Sequence, residues 1–151
     1  MDHDRKWMAE AIAEANKSRE SGGIPIGSVL VAQGKIIGRG HNQRVQNNNP
    51  ILHAEMVTVQ DAGRLRATVY SQSTMYTSLS PCTMCAGTIV LYKIPRVVIG
   101  ENRTVKNLTL CEDWLVEQGV EVINLDLQEC VDIMDDFIKE SPEIWHEDVG
   151  V

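Results

Sequence analysis

From residue 74 onwards, the sequence alternates between short β-rich runs and segments with helical spacing. The runs TMYTSLS, RVVIG and VEVINL favour strands, whereas CTMCAGTIVLYK and the segments 108–118 and 127–140 favour helices. Parallel strands need long crossover connections, which are usually helical. The alternation therefore predicts an α/β fold with a partly parallel sheet between helix layers.

The first 62 residues add a helix, a hairpin and a second helix. Apolar residues recur at three- and four-residue intervals over about 2–20, which predicts an amphipathic helix that ends at SGG. The stretch SVLVAQGKIIGRG predicts a hairpin with its turn at Gln33 and Gly34. The polar loop NQRVQNNNP then leads into an apolar helix that begins near His53.

Length and charge limit the classes of function. With 151 residues and no repeat or composition break, the chain is expected to form one domain over residues 1–151. The formal net charge of -7, from 14 basic and 21 acidic side chains, opposes binding to nucleic acid. No apolar run of about 18 residues is present, so we expect no membrane partner.

The N-terminal stretch MDHDRKWMAE is charged from its second residue and has no apolar signal core. A cytoplasmic location is therefore expected, where the four cysteines stay reduced.

Cys82 and Cys85 lie three residues apart at the predicted start of a helix, directly after Pro81. This spacing places both sulfur atoms within reach of one metal ion. Taken alone, the pair is equally typical of a redox couple, half of a structural zinc site or two small core residues. His53, at another predicted helix start, would supply a third ligand and leave a fourth position open, as in catalytic zinc sites.

Glu55 follows His53 by two residues, and such residues do not share a helix face. Its carboxylate is therefore predicted to face the reacting water and the substrate as a general base, while His53 binds the metal. His-x-Glu followed by Pro-Cys-x-x-Cys is the known signature of zinc-dependent nucleobase deaminases.

Several further stretches extend this pattern: GGIPIGSVL, GRGHNQR, LHAEM, LSPCTMCAG, IPRVVIGEN and WHEDVG. With them, the sequence resembles the cytidine deaminase superfamily, and within it the fungal-type zinc-dependent cytosine deaminases, almost end to end. The resemblance implies a three-layer α/β/α fold with a five-stranded mixed sheet, a homodimer, and a Zn²⁺ cofactor. It also implies a role in pyrimidine salvage, in which free cytosine is hydrolysed to uracil and ammonia.

The resemblance also implies a role for individual residues. His53, Cys82 and Cys85 match the zinc ligands, and Glu55 matches the proton shuttle. Three positions match groups that meet the base: the side chain of Asn42, the backbone of Ala54 and the carbonyl of Ser80. Asp148 matches a carboxylate that accepts hydrogen bonds from the base. Trp145 matches a residue that covers the base, and Ile26 lines the same pocket.

Two positions depart from the family pattern. Val105 and His146 stand where aromatic residues are expected. These departures leave open the deamination of another free base such as guanine. Two further alternatives remain: deamination of adenosine in tRNA, and a closed structural zinc site completed by Cys111 or Cys130.

Overall fold

The computed structural model describes residues 2–108 and 111–151, and a five-stranded mixed sheet forms its centre. The strands are β1 Gly27–Ala32, β2 Lys35–His41, β3 Ser73–Thr77, β4 Arg96–Ile99 and β5 Glu121–Asn124. Their spatial order is β2-β1-β3-β4-β5. Strand β1 pairs antiparallel with β2 and β3, whereas the β3–β4 and β4–β5 pairs are parallel.

The helices of the described residues are α1 Asp2–Glu20, α2 Ala54–Ala62, α3 Ala67–Tyr70, α4 Thr83–Leu91, α5 Glu112–Glu117, α6 Gln128–Glu140 and α7 Pro142–Asp148. The sequence predicted neither α3 nor α7, because a helix of one or two turns shows no full period of apolar residues. The predicted helix at 108–118 is observed only as α5, and its positions 109 and 110 lie outside the described residues.

The two faces of the sheet carry separate apolar clusters. Val29 and Val31 of β1 pack with α1 and with Cys130 of α6, whereas Leu30 packs on the opposite face with Ala86 and Ile89 of α4. Successive strand residues point to opposite faces, so one apolar strand contributes to both clusters. The predicted three-layer α/β/α fold is confirmed.

The hairpin turn is where the sequence predicted it. Gln33 and Gly34 both have positive φ, 51° and 71°, as a two-residue type I′ turn requires. At the other end of β1, Gly27 lies so close to α1 that a Cβ atom there would stand 2.0 Å from the carbonyl oxygen of Ala11. The absence of a side chain at Gly27 therefore allows α1 to pack directly on the sheet.

A partly buried ion pair joins α1 to the sheet. Both carboxylate oxygens of Asp4 accept hydrogen bonds from Arg96, each at 2.8 Å, and the hydroxyl of Tyr76 donates to the same carboxylate at 2.8 Å. The guanidinium of Arg96 lowers the pKa of Asp4, although burial opposes this shift. This network connects α1 with β3 and β4.

A third apolar cluster lies beyond the ends of β3 and β4, between α2, α6 and α7. It contains Ile26, Ala54, Leu79, Val105, Phe137 and Trp145 among its buried residues. Functional sites of α/β sheets gather at the carboxyl ends of parallel strands. None of the helices in the described ranges combines the length and the apolar character needed to traverse a bilayer.

Candidate metal centre and substrate cavity

Two helix starts bring the three predicted metal ligands together. His53 is the N-cap residue of α2, and Cys82 is the N-cap residue of α4, with Cys85 in the first turn of α4. The Sγ atom of Cys82 lies 3.4 Å from Nδ1 of His53 and 3.6 Å from Sγ of Cys85. The Sγ atom of Cys82 also accepts a hydrogen bond from the backbone N–H of Cys85 at 3.5 Å.

The geometry of these three atoms fits one tetrahedral zinc ion. Their ligand atoms all lie within 4.8 Å of one another. Zinc–sulfur and zinc–nitrogen bonds in a tetrahedron separate neighbouring ligands by roughly 3.3–3.8 Å, which agrees with the two contacts above. Neither Cys111 nor Cys130 belongs to a metal-ligating group in the described part of the chain, so the structure offers no support for a closed four-ligand site.

The protonation states of the two cysteines differ. A hydrogen bond from Cys85, together with the contact to His53, lowers the pKa of Cys82 to about 4 despite burial. The same hydrogen bond and burial raise the pKa of the Cys85 thiol well above its usual value. A bound metal ion would favour the thiolate form of both cysteines, which is the form that binds a metal.

Glu55 lies in the first turn of α2 and is only 4% exposed. It is not one of the clustered ligands, so His53 and Glu55 separate as the sequence predicted. Burial, and then the negative charge of Cys82, raises the pKa of Glu55 to about 7. A carboxyl group with this pKa can both accept and release a proton near neutral pH.

Asp148, at the end of α7, contacts the metal centre from the other end of the chain. Its Oδ1 atom lies 3.2 Å from Nε2 of His53, and its side chain is 3% exposed. A carboxylate in this position fixes the orientation of a ligating imidazole. No local pattern in the sequence predicts this contact, because it depends on where α7 packs.

A cavity of about 330 Å³ opens beside these groups. Its lining includes the proposed metal ligands His53 and Cys82, together with Glu55, and five of the residues predicted to bind substrate: Ile26, Ala54, Ser80, Trp145 and Asp148. Val105 also lines it, so an aliphatic side chain stands where the family pattern suggests an aromatic, and Leu108 belongs to the same lining. His146 is exposed and lies outside the lining.

Asn42 is fully buried and is not among the residues that line the cavity. Its N–H donates to the carbonyl of Ile26 at 2.9 Å, its carbonyl accepts from Ser18 at 2.7 Å, and its Oδ1 accepts from the N–H of Arg44 at 3.0 Å. Its Nδ2 has no partner within the described residues. The NH2 group of this amide is therefore free to donate to a ligand.

Asp148 has the matching acceptor. Its Oδ1 lacks an aligned hydrogen bond within the described residues, although it lies 3.2 Å from Nε2 of His53 and 3.5 Å from Nε of Arg44. Buried polar atoms without partners are uncommon in folded proteins. The two unpaired atoms are thus suited to a ligand that offers one acceptor and one N–H donor.

Ser80 is held by the segment that follows β4. Its N–H donates to the carbonyl of Glu101 at 2.9 Å, and its hydroxyl donates to Glu112 at 2.9 Å. Asn102 donates to the same carboxylate at 3.1 Å. The sequence did not identify Glu112 as part of the site.

Comparisons with known proteins agree with this geometry. The family model described as the cytidine and deoxycytidylate deaminase zinc-binding region matches residues 1–101. A cytosine deaminase of Candida albicans is 49% identical over 148 residues, which cover 97% of each chain. A tRNA-specific adenosine deaminase of Bacillus subtilis is 38% identical, over 93% of this chain and 91% of the relative.

Solved structures show the same fold. A tRNA:A34 deaminase structure is 26% identical with a TM-score of 0.72, over 85% of this chain and 99% of the other. A guanine deaminase from Nitrosomonas europaea is 18% identical with a TM-score of 0.74, over 87% of this chain and 82% of the other. At that identity, the second similarity concerns the fold alone.

Proposed function

Because the chain belongs to the cytidine and deoxycytidylate deaminase family, which is defined by a zinc-binding region, we propose that it hydrolyses free cytosine to uracil and ammonia. The observation that carries the choice of base is the pair of unpaired buried atoms, Nδ2 of Asn42 and Oδ1 of Asp148. The similarity to a cytosine deaminase over 97% of both chains supports the same choice.

Cytosine presents a complementary edge to these atoms. Its C2 carbonyl accepts a hydrogen bond, as from Nδ2 of Asn42, and its N1–H donates one, as to Asp148. A site built to hydrogen-bond a substrate rejects analogues that leave its buried polar groups unpaired. The amino group at C4 would then lie toward His53, Cys82 and Glu55.

The proposed mechanism assigns proton transfer to Glu55. Zinc held by His53, Cys82 and Cys85 would supply a Lewis acid that makes a water molecule more acidic. Glu55 takes the proton of the attacking water and delivers it to ring N3. The hydroxide so formed adds to C4. The Glu55 carboxylate then takes the proton of the new C4 hydroxyl group and passes it to the amino group, which leaves as ammonia as the C4 carbonyl forms, and the apolar cavity wall excludes bulk water.

The C-terminal helix favours a free base over a polymer. Trp145 of α7 is 5% exposed and belongs both to the cavity lining and to the apolar cluster beneath it. A base within RNA would have to reach the metal past this helix, and the net charge of -7 opposes a phosphate backbone. We therefore propose that nucleic acid is not a substrate.

The domain, the location, the pathway and the oligomeric state extend the proposed function. We propose one catalytic domain over residues 1–151, a cytoplasmic role in pyrimidine salvage, and a homodimer. Self-association is supported by exposed apolar side chains on the α2/α4/α5 side of the sheet, where Leu91, Tyr92 and Val116 are 69%, 44% and 57% exposed.

Ammonia release by the zinc-loaded protein tests the proposal. The panel contains free cytosine, guanine, adenine and cytidine, with an RNA hairpin alongside. Release from cytosine and not from the hairpin would support the proposed function, whereas release from the hairpin alone would refute it. A larger free base such as guanine is the second candidate, because Val105 fills less of the cavity than an aromatic side chain.

A further inference from the structure

Arg44 lies in the loop after β2 and contacts both polar groups that flank the cavity. We propose that Arg44 is a positioning residue that holds α7 closed over the cavity and aligns Asp148 at its wall. This inference rests on the proposed function of the cavity, and it concerns a residue that contacts the binding groups.

The guanidinium of Arg44 joins the rim of the cavity to its wall. One terminal nitrogen lies 2.7 Å from Oε2 of Glu147, and Nε lies 3.5 Å from Oδ1 of Asp148. The side chain of Arg44 is 17% exposed, compared with 65% for Glu147 and 3% for Asp148. Arg44 therefore reaches from a solvent-exposed carboxylate to a buried one on the same helix.

The backbone of Arg44 contacts the other side chain that is proposed to bind the base. Its N–H donates to Oδ1 of Asn42 at 3.0 Å, which fixes the amide plane and leaves Nδ2 as the free donor. One residue thus orients both the donor and the acceptor that are proposed to bind the base. A displacement of Arg44 would misalign the two groups together.

The ion pair also lines a second pocket. This pocket of about 280 Å³ shares Arg44, Pro50 and Glu147 with the lining of the first cavity. A displacement of Arg44 or Glu147 would therefore change the shape of both pockets.

If Arg44 had only a structural role, its substitution would have little effect on catalysis. An ion pair with one exposed partner contributes little to stability, so its loss would also leave folding nearly unchanged. A positioning role instead predicts weaker substrate binding without a matching loss of stability. The KM for cytosine, compared with kcat and with the thermal midpoint, separates the two roles.

Three variants and a control make up the kinetic test. Arg44→Gln removes the charged contact to Asp148. We therefore expect the KM of this variant for cytosine to rise about tenfold, with a smaller change in kcat. Glu147→Gln removes only the outer contact and should raise KM about two- to threefold, whereas Arg44→Lys should recover part of the loss. Arg19→Gln is the control, since Arg19 pairs with Glu140 at 2.8 Å away from the cavity lining.

Hydrogen exchange tests the same proposal without substrate. Backbone amides of residues 143–151 are expected to exchange at least about threefold faster in Arg44→Gln than in the unmodified protein or in Arg19→Gln. Unchanged exchange together with an unchanged KM would overturn the positioning role. If the unmodified protein released no ammonia from cytosine, the proposed function would fail, and the exchange rates would still decide whether Arg44 holds α7.

Discussion

Oδ1 of Asp148 lies 3.2 Å from Nε2 of His53, so the last helix of the chain contacts the first metal ligand. Removal of a carboxylate that orients a ligating histidine typically weakens metal binding about 10- to 100-fold. We therefore expect Asp148→Ala to lower zinc affinity by a factor in that range, measured by competition with a chelator. Asp136→Asn, which changes an exposed carboxylate on α6, should leave the affinity unaltered.

Glu55→Gln is expected to reduce deaminase activity by several orders of magnitude, because an amide of the same shape cannot carry the proton. Zinc content and the thermal midpoint should be retained, since Glu55 is not among the clustered ligands. Parallel measurements of ammonia release, bound zinc and thermal unfolding check this expectation. Activity equal to that of the unmodified protein would remove Glu55 from the mechanism.

The four cysteines should divide into two classes. Cys82→Ser and Cys85→Ser are expected to lose zinc, because each removes a ligand from the cluster. Cys111→Ser and Cys130→Ser are expected to retain it, since both lie outside that cluster in the described residues. Zinc content per chain, measured after gel filtration, distinguishes the classes, and loss of zinc from Cys111→Ser would revive the closed four-ligand site.

The Asp4–Arg96 pair should make stability depend on acid pH. Because the pKa of Asp4 is lowered from 3.8 in the folded protein, its contribution is complete above that value and is lost as the pH falls through the folded pKa. Asp4→Asn is expected to cost about 2 kcal/mol of unfolding free energy at pH 7. In denaturant titrations, the difference from the unmodified protein should shrink as the pH falls below 3.8.

Asp126→Asn is the control for that experiment. Asp126 pairs with Arg103 at 2.9 Å, but the two side chains are 61% and 42% exposed. An exposed pair of this kind contributes at most about 1 kcal/mol. A loss in Asp126→Asn equal to that in Asp4→Asn would contradict the assigned role of the partly buried pair.

Two glycines should respond to alanine in opposite directions. Gly27→Ala places a Cβ atom 2.0 Å from the carbonyl oxygen of Ala11, so α1 must move and stability should fall by more than about 3 kcal/mol. Gly87 lies within α4 with no atom in the way, and alanine there is expected to gain about 0.5–1 kcal/mol. Thermal and denaturant unfolding of the two variants measure the difference.

The metal ligands and Glu55 could be predicted from the sequence, because their chemistry restricts how far apart they lie along the chain. The positions of Cys82 and Cys85 follow from the reach of one ion, and the separation of His53 from Glu55 follows from helix geometry. The alternating strands and helices predicted the layers for a similar reason, because the apolar pattern of each element reflects the faces that it buries.

Contacts between distant segments were not predictable in this way. Neither the contact of Asp148 with His53 nor the ion pair of Arg44 with Glu147 leaves a local pattern, because each depends on where α7 packs. Helix α7 was not predicted, because it is too short to show a full period of apolar residues. Within the tail, Trp145 suggested that this segment docks on the protein. The aliphatic wall at Val105 and Leu108 likewise became visible only with the cavity.

The metal ligands all lie within residues 1–101, the part of the chain that matches the family model, whereas α7 lies beyond it. The part that binds the ion and the part that covers the cavity are thus encoded in different stretches of the gene. If α7 covers the bound base as proposed, mutations in this helix are expected to change which base is admitted without altering the ligand set. Such mutations would have to preserve the contact of Asp148 with His53 and the contacts of α7 with Arg44.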